Sequence, residues 1–393
     1  MTKISPVKLH TFLNTQHQDG FRKTKPLRAN TTIYSPWNYT PDGVVSSFNY
    51  VQGIGPGSSS KTNTIVGTYG QFDNGAVGVI YQGAINANKT SQGSGPGTWT
   101  TMEVPKSFNS LGTSIYGVHN KGRGQFDLVG TYVSKTETTN INGNIVNDTL
   151  SFYYTGEITN NPKDTKFKSF QARDPITGRL ADETYMHSVS GGQIAGNYDF
   201  FGEGKGTGTA FVVDMKTGKQ TNLRYDNGVL SHSVYGIWSN GGRSYTVAGG
   251  ESNVKGSLKP GINNSPALGD GTLADYDSIT GQVNHLRSYR YPGSGGSTKE
   301  THFEGIWSDG QGLYKLPFTS YDSSTQQINA GVAIVHRLKN GQFSDASWIT
   351  FTNPAGVTLT SNNSVWDDYS IGSQTTNSNP GVLNTYAALT RIS

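Results

Sequence analysis

Short runs of alternating apolar and polar residues, separated by glycine-rich turns, recur along the chain and predict β-strands. A strand-like segment that carries a glycine is followed by a turn and then by a second strand, which often carries another glycine. This two-strand motif is clear in Val234-Tyr-Gly-Ile-Trp238 with Tyr245-Thr-Val-Ala-Gly-Gly250. It recurs in Phe303-Glu-Gly-Ile-Trp307 with Leu313-Tyr-Lys-Leu-Pro-Phe318. The pattern indicates an all-β chain built from internal repeats.

A landmark of the second strand recurs at a nearly constant interval. Its positions, roughly 53 to 67 residues apart, are Gly67, Gly130, Gly196, Gly249, Leu316 and Gly372. After each landmark we expect a third strand, such as Ala210-Phe-Val-Val213, and a hairpin, such as Lys216-Thr-Gly-Lys219. A fourth strand follows, as in Gln220-Thr-Asn-Leu-Arg-Tyr225. Each repeat therefore predicts four strands.

Six repeats of four strands are the pattern expected of a six-bladed β-propeller. The last repeat ends after its third strand, and a spare strand, Thr32-Ile-Tyr-Ser-Pro-Trp37, precedes the first repeat. We expect this N-terminal strand to complete the last blade, which closes the ring and removes both open sheet edges. The prediction is a basic N-terminal arm at residues 1–30 and a single propeller domain at residues 31–393. The alternatives are a two-sheet sandwich, two smaller barrels, or a ring of five or seven blades.

Composition supports the strands and narrows the class of protein. The 393 residues include 51 glycines, and aromatic residues make up 11% of the chain against 15% for charged residues. This mixture favours β structure, whereas a helical protein would contain more alanine, leucine, glutamate and lysine. No apolar run is long enough for a transmembrane helix. The net charge of +4 is too small for a nucleic-acid binder, and the absence of cysteine excludes disulfides and thiolate chemistry.

The N-terminal segment gives little information about the compartment. It lacks the apolar core of a signal peptide, so the chain is either cytoplasmic or secreted with its leader removed. Residues 1–30 carry six lysines and arginines against one aspartate, which predicts a solvated arm along the edge of the propeller. Contact with a membrane or a polyanion is the alternative for this arm. We expect a monomer without a cofactor.

The chain also resembles the HAF-type extracellular repeat. The matching phrases are Tyr235-Gly-Ile-Trp-Ser-Asn-Gly-Gly242 through Val247-Ala-Gly249, and Gly192-Gln-Ile-Ala-Gly-Asn-Tyr198 through Phe211-Val-Val-Asp214. In that family a short pair of glycine-bearing strands precedes an aromatic strand and a turn. The resemblance implies a propeller-like array of repeats, and it implies no catalytic residue that could be transferred to this sequence.

The first strand of each repeat is expected to line a central channel, where closed β architectures hold small molecules. His187, His232 and His302 fall near the start of three successive inner strands. His302 and Glu304 are two residues apart and should point to the same side of their strand. A carboxylate beside an imidazole suits proton transfer near neutral pH. We therefore predict His302 and Glu304 as catalytic acid–base residues, assisted by His187 and His232.

Alignment of the inner strands on their glycine predicts the other side chains of the channel. One aligned face reads Gln52, Tyr116, Ser190, Tyr235, Glu304 and Trp366. Of these, Tyr116, Tyr235 and Trp366 are predicted to bind a saccharide or polycyclic ligand with their flat rings. Asp367 and Asp368 add carboxylates in the sixth repeat. The alternatives are a polar channel filled with water, or a metal held by the three histidines; we predict no metal.

These observations predict a small-molecule-binding propeller with acid–base chemistry in its channel, acting as a lyase, cyclase, isomerase or hydrolase. The alternatives are a carbohydrate-binding, lectin-like propeller without catalysis and a scaffold for protein partners. Aromatic residues also recur near the fourth strands, but their polar neighbours differ, so we predict that they pack between blades. They are Trp37, Trp99, Phe170, Tyr225, Tyr289 and Trp348.

Overall fold

A computed structural model gives the arrangement of the strands. It describes residues 7–8, 29–34, 38–39, 49–71, 75–85, 97–141, 143–201, 208–223, 225, 231–252, 269–292, 299–322, 325 and 327–392. In these residues the regular elements are β-strands and two 3₁₀ turns, Lys106–Phe108 and Asp164–Lys166. The all-β prediction is confirmed. This part of the chain contains no helix with the length and apolar character needed to cross a bilayer.

Most described strands follow one another as antiparallel meanders, preceded by two N-terminal strands, β1 (Val7–Lys8) and β2 (Ala29–Tyr34). The first meander consists of β3 (Asn49–Pro56), β4 (Asn63–Tyr69), β5 (Val77–Gly83) and β6 (Thr98–Met102). The second consists of β7 (Ser110–Gly122), β8 (Gln125–Ile141), β9 (Asn144–Gly156) and β10 (Phe167–Phe170). The third consists of β11 (Glu183–Ser190), β12 (Gln193–Asp199), β13 (Thr209–Asp214) and β14 (Gln220–Asn222).

The remaining strands repeat this arrangement. The fourth meander consists of β15 (Ser231–Gly241), β16 (Ser244–Ser252), β17 (Gly269–Asp277) and β18 (Val283–Tyr289). The fifth has an interrupted first strand, formed by β19 (Lys299–Phe303) and β20 (Trp307–Ser308), and then β21 (Leu313–Asp322), β22 (Gln327–His336) and β23 (Ser347–Thr350). The last meander consists of β24 (Val357–Trp366), β25 (Tyr369–Thr376) and β26 (Asn379–Ile392).

The N-terminal strand belongs to the last meander. β2 pairs antiparallel with β26, from Ala29 opposite Ile392 to Tyr34 opposite Ala387. The spare strand expected from Thr32 onwards therefore begins at Ala29 instead. β1 pairs with β2 on its other edge. The rest of the predicted basic arm up to residue 28 lies outside the described residues.

Strand pairing groups the meanders into four sheets, none of which closes on itself within the described residues. The second and third meanders are joined by one parallel pair, Glu183 with Thr149. The fourth and fifth are joined in the same way by Gly269 and Glu300. The first and last meanders belong to separate sheets of four and five strands.

The hydrophobic core is divided into clusters, each of which lies between two consecutive meanders. Representative pairs in chain order are Met102 with Phe126, Val129 with Ile194, Ala195 with Val247, Leu273 with Leu316, and Val332 with Leu359. One further cluster joins the last meander to the first, through Ile371 and Val51. The meanders therefore pack face to face in a cyclic order, and burial of apolar side chains between them stabilises that order.

The landmark glycines of the second strands have a steric role. A Cβ atom on Gly249 would overlap the carbonyl oxygen of Ser233 in the neighbouring strand β15. The same overlap with a first-strand carbonyl arises at Gly67, Gly130, Gly196 and Gly372. Only glycine permits this approach. In the fifth meander Phe318 pairs with Phe303 at the equivalent position, so the predicted landmark Leu316 is two residues out of register.

Candidate functional site

The first strand of each meander departs from regular pairing beside a central cavity, and the residue at that position lines the cavity. The pairing register shifts at Gln52, Tyr116, His187, Tyr235 and Asn363. In the fifth meander Glu304 takes this position, between the end of β19 and the start of β20. A β-bulge leaves one residue unpaired and changes the direction of its side chain. Side chains from all the meanders are thereby brought together.

Two cavities of about 280 Å³ and about 270 Å³ adjoin these residues. Both cavities are lined by a set that we name the central ring: Gln52, Tyr116, His187, Tyr235 and Glu304. The first cavity also contacts residues that follow the central ring along their strands, including Val118 and Trp238. The second contacts Asn363 and Tyr50, of which Tyr50 precedes the central ring in β3. The two cavities therefore lie on opposite sides of the central ring.

Small residues after the bulges let the first strands touch each other. A Cβ atom on Gly117 would lie 2.7 Å from the carbonyl oxygen of His187, which leaves no room for a larger residue. In the last meander Ser364 replaces this glycine, and its hydroxyl accepts a hydrogen bond from the backbone N–H of Ile54 at 3.4 Å. Beside it, the side-chain nitrogen of Asn363 donates to a backbone carbonyl of β3 at 2.7 Å. The last meander is thus bonded to the first at the cavity wall.

Aromatic and imidazole rings form a continuous wall at the central ring. The centroid of the His187 ring lies 4.6 Å from that of Tyr235 and 5.4 Å from that of Tyr116, on which it stacks. Tyr235 in turn stacks on His302 at 6.2 Å. Four of the predicted side chains are therefore in contact through their rings. Such a wall offers flat apolar faces with polar edges to a ligand.

Glu304 is the carboxyl group of this wall. Burial raises the pKa of Glu304; positive charge on His302 opposes the effect and negative charge on Glu300 adds to it. Burial and the charge of Glu304 together raise the pKa of Tyr50 to about 12. The lining residues of both cavities, within the described chain, include no lysine or arginine. Glu304 therefore keeps its proton to higher pH than an exposed glutamate does.

His302 pairs with Glu300, not with Glu304 as predicted. The Nε2 atom of His302 lies 2.6 Å from Oε1 of Glu300. Burial lowers the pKa of His302, but the hydrogen bond and the charge of Glu300 outweigh burial and raise it. The same contact lowers the pKa of Glu300 against the effect of burial. The predicted pairing fails because the strand alternation ends at Phe303, so that Glu304 lines the cavities instead.

His187 is held as a neutral imidazole. Its Nε2 atom lies 2.8 Å from Oδ1 of Asn197. Burial lowers the pKa of His187 to about 4, and the hydrogen bond to Asn197 only partly offsets this effect. Because the amide oxygen accepts, Nε2 carries the proton and Nδ1 remains an acceptor. His187 therefore offers hydrogen bonding to a ligand near neutral pH, not positive charge.

His232 does not line either cavity, so the structure does not bring it to the predicted site. Its ring stacks on Tyr225 with a centroid distance of 4.2 Å, and its Nε2 lies 3.7 Å from a carboxylate oxygen of Glu251. It stands three residues before the bulge of its strand. The equivalent residue in the fifth meander, Thr301, accepts a hydrogen bond from the backbone N–H of Tyr291 at 3.1 Å. This position contacts the segment that precedes the first strand of the same meander, and its side chain does not line the cavities.

The predicted carboxylates of the last meander are also displaced from the cavities. The bulged residue there is Asn363, and Trp366 lines the first cavity three residues farther along β24. Asp367 and Asp368 form the turn between β24 and β25. In that turn Oδ1 of Asp368 accepts a hydrogen bond from Nζ of Lys315 at 2.8 Å. Neither aspartate lines either of the two cavities.

The predicted alignment of the first strands on their glycine is out of register in the third and last meanders, for the same reason in both. A serine, Ser188 or Ser364, replaces the glycine that marks the bulge elsewhere. In the third meander the next glycine is Gly191, farther along the chain. Alignment on glycine therefore assigned Ser190, not His187, to the cavity wall. Ser190 still lines the first cavity, beyond the central ring.

Two further residues of the site, Glu300 and Tyr50, were not predicted from the sequence. Glu300 has the same two-residue spacing to His302 that drew attention to Glu304. Tyr50 is two residues before Gln52, which is the spacing that places side chains on one face of a strand. In the described chain no group of three or more histidine, aspartate or glutamate side chains is placed to hold a metal ion.

The aromatic residues near the fourth strands contact neighbouring rings. Trp348 lies 4.9 Å from Phe318, and Trp99 lies 5.2 Å from Tyr81. Phe170, Tyr225 and Tyr289 make similar ring contacts. These contacts support a packing role, while Trp37 lies outside the described residues.

No protein-family model matches this sequence, and comparison with curated proteins likewise finds no match. Among solved structures, the fold is similar to that of the Trypanosoma rangeli sialidase in complex with the inhibitor DANA. The TM-score is 0.50, with 11% sequence identity over 91% of this chain and 59% of the sialidase. The chain thus spans less than two thirds of that protein's length.

Two further solved structures have lower scores. A variant of the NanB sialidase from Streptococcus pneumoniae gives a TM-score of 0.49 and 8% identity over 88% of this chain and 68% of that one. An arabinanase from Bacillus subtilis gives 0.37 and 10% identity over 80% of this chain and 100% of its own length. At these identities the similarity is one of fold alone, and the fold shared with the first sialidase is a β-propeller.

Proposed function

We propose that the meanders are the blades of a six-bladed propeller, that β2 completes the last blade, and that the channel cleaves a neutral saccharide. The cyclic order of the core clusters and the hydrogen bonds of Asn363 and Ser364 support the ring. The observation that carries the function is Glu304, a carboxyl group with a raised pKa, placed in an aromatic wall between two cavities.

A raised pKa is what a general acid needs, because the group must still hold its proton at the working pH. In this role Glu304 donates a proton to the glycosidic oxygen, and the bond to the anomeric carbon breaks with its electron pair on that oxygen. Water then adds to the anomeric carbon, and its proton returns to the carboxylate of Glu304. Neither the comparisons nor the described site favours the lyase, cyclase or isomerase alternatives.

The chemistry of the wall favours a neutral sugar. The rings of Tyr116 and Tyr235 suit the apolar face of a pyranose or furanose. The side-chain oxygen of Gln52 is buried and has no hydrogen-bond partner among the described residues, so it can accept a bond from a ligand hydroxyl. A carboxylate or phosphate ligand would find no lysine or arginine in the described lining.

His302 and Glu300 act as positioning residues for this chemistry. His302 does not line the cavities but stacks behind Tyr235, and Glu300 holds its imidazole at 2.6 Å. Positive charge on His302 limits the rise in the pKa of Glu304. The pair therefore sets the pH range in which Glu304 can both donate and recover a proton.

The proposal is tested by the turnover of 4-methylumbelliferyl glycosides. One set contains neutral pyranosides and furanosides, and the other contains the glucuronide and the N-acetylneuraminide. We expect fluorescence release from at least one neutral glycoside and none from the anionic set. Release from the anionic set alone contradicts the proposal. Binding of several saccharides per chain without turnover, measured by calorimetry, establishes the lectin-like alternative.

The alkaline limb of the pH profile should report the ionisation of Glu304. Turnover requires the protonated carboxyl group, so kcat/KM should fall as pH rises through the raised pKa of Glu304. In His302→Asn the positive charge that lowers this pKa is lost while the charge of Glu300 remains. The alkaline limb should therefore move to higher pH.

A matched histidine variant controls for general effects on the fold. His285 pairs with Asp275 in the fourth meander at 2.8 Å and lines neither cavity. The profile of His285→Asn should coincide with that of the unmodified protein. If the alkaline limb of His302→Asn stays in place or moves to lower pH, the charge of His302 does not lower the pKa of Glu304 and the assignment is contradicted.

A further inference from the structure

At the edge of the first cavity, the side chain of Trp238 contacts two other tryptophans. The centroid of Trp238 lies 5.8 Å from that of Trp366 and 6.3 Å from that of Trp307. Each stands three residues beyond the bulged or equivalent residue of its strand, in the fourth, fifth and last meanders. Trp238 and Trp366 line the first cavity. The group is therefore a continuation of the cavity wall on one side of the channel.

Core packing accounts for these rings only in part, because Trp238 and Trp366 lie at the margins of two hydrophobic clusters. None of the three is fully buried, and Trp307 belongs to none of the hydrophobic clusters formed by the described residues. The Nζ atom of Lys315 lies 4.9 Å from the centroid of Trp307 and is held there by Asp368. The ammonium group of Lys315 is therefore paired with a carboxylate beside these rings. Partly exposed aromatic rings next to a cavity are typical of a ligand-contacting surface.

We propose that Trp238, Trp307 and Trp366 form a second sugar subsite, so that the substrate is a neutral oligosaccharide and not a single sugar. This inference rests on the proposed function, because it extends the ligand bound at the central ring. Three residues of extended strand span about 10 Å, a distance that neighbouring sugars of one oligosaccharide can cover. One sugar would lie at the central ring, and the next would stack on Trp238 and Trp366.

The test compares a substrate that fills one subsite with a substrate that fills several. A glycosyl fluoride of the active sugar has a leaving group too small to reach the tryptophans, whereas the hexasaccharide of that sugar reaches them. In Trp238→Ala and Trp366→Ala we expect KM for the hexasaccharide to rise about tenfold, in line with the loss of one stacking contact. Turnover of the fluoride should change less than twofold. Equal effects on both substrates, or no effect on either, overturn the inference.

A binding measurement separates failure of the subsite from failure of the proposed chemistry. Intrinsic tryptophan fluorescence of Glu304→Gln is titrated with the hexasaccharides of xylose, glucose, mannose and arabinose. We expect at least one to change the emission, and Trp238→Ala in the same background to weaken that binding. This result supports the subsite even when no glycoside is cleaved, and the absence of any change with the four sugars overturns it.

Trp348→Phe serves as the matched control. Trp348 packs against Phe318 in the core and lines neither cavity. Its replacement removes one tryptophan but should leave hexasaccharide affinity and KM unchanged. A loss equal to that in Trp238→Ala counts against the subsite.

Discussion

Replacing Glu304 with glutamine should lower kcat on a neutral oligosaccharide by about 10²- to 10⁴-fold, the range expected for loss of a general acid. Glutamine has nearly the same shape but no acidic proton to donate to the leaving oxygen. The loss should be much smaller with a glycosyl fluoride, because fluoride leaves without protonation. Steady-state kinetics on the two substrates measure this difference, and a merely structural effect would reduce both rates alike.

Glu251→Gln is the matched control for this variant. Glu251 is buried and accepts a hydrogen bond from the hydroxyl of Ser288 at 2.6 Å, but it lines neither cavity. We expect its kinetics to match those of the unmodified protein. Both variants should melt within a few degrees of it, since glutamine preserves shape at each position. Full activity of Glu304→Gln on the oligosaccharide contradicts the assignment of the proton donor.

Replacing Gly249 with alanine should lower the free energy of unfolding by about 3 kcal/mol, at the upper end of what overpacking usually costs. The added methyl group would overlap the carbonyl oxygen of Ser233. That carbonyl cannot move freely, because β15 is paired with β16 on both sides of the bulge at Tyr235 and β16 is paired with β17 on its other side. Urea unfolding measures the change.

Gly381→Ala provides the comparison. Nothing lies within 4 Å of a Cβ atom at Gly381, which is also in a strand. Its substitution should change the free energy of unfolding by less than about 0.5 kcal/mol. Equal stability of the two variants contradicts the steric explanation of the landmark glycines.

The repeat was predictable from the sequence because a backbone contact imposes glycine at the same place in most meanders. Gly67, Gly130, Gly196, Gly249 and Gly372 all accommodate a carbonyl of the first strand. The fifth meander has Phe318 at this place, so sequence alone offered no glycine there and Leu316 was chosen in its stead. The similarity to HAF-type repeats stays a prediction.

The strands that line the cavities could be identified from the sequence, but the register of their side chains could not. Alternation assigns His302 and Glu304 to one face, and this rule holds only within an uninterrupted strand. The break after Phe303 moves Glu304 to the cavity wall and leaves Glu300 as the partner of His302. A bulge adds one residue to a strand without changing the apolar pattern. Where serine replaces the glycine that follows the bulge, as at Ser188, nothing in the sequence marks the position of the bulge.

The most direct test of this account is a crystal structure of Glu304→Gln soaked with the hexasaccharide that the unmodified protein cleaves. The account predicts electron density for a sugar against the ring of Tyr235, with a glycosidic oxygen within hydrogen-bond distance of the residue 304 side chain. Further sugars should extend toward Trp238. A saccharide bound only on the outer strands, beside Trp99 or Trp348, with nothing at the central ring would contradict it.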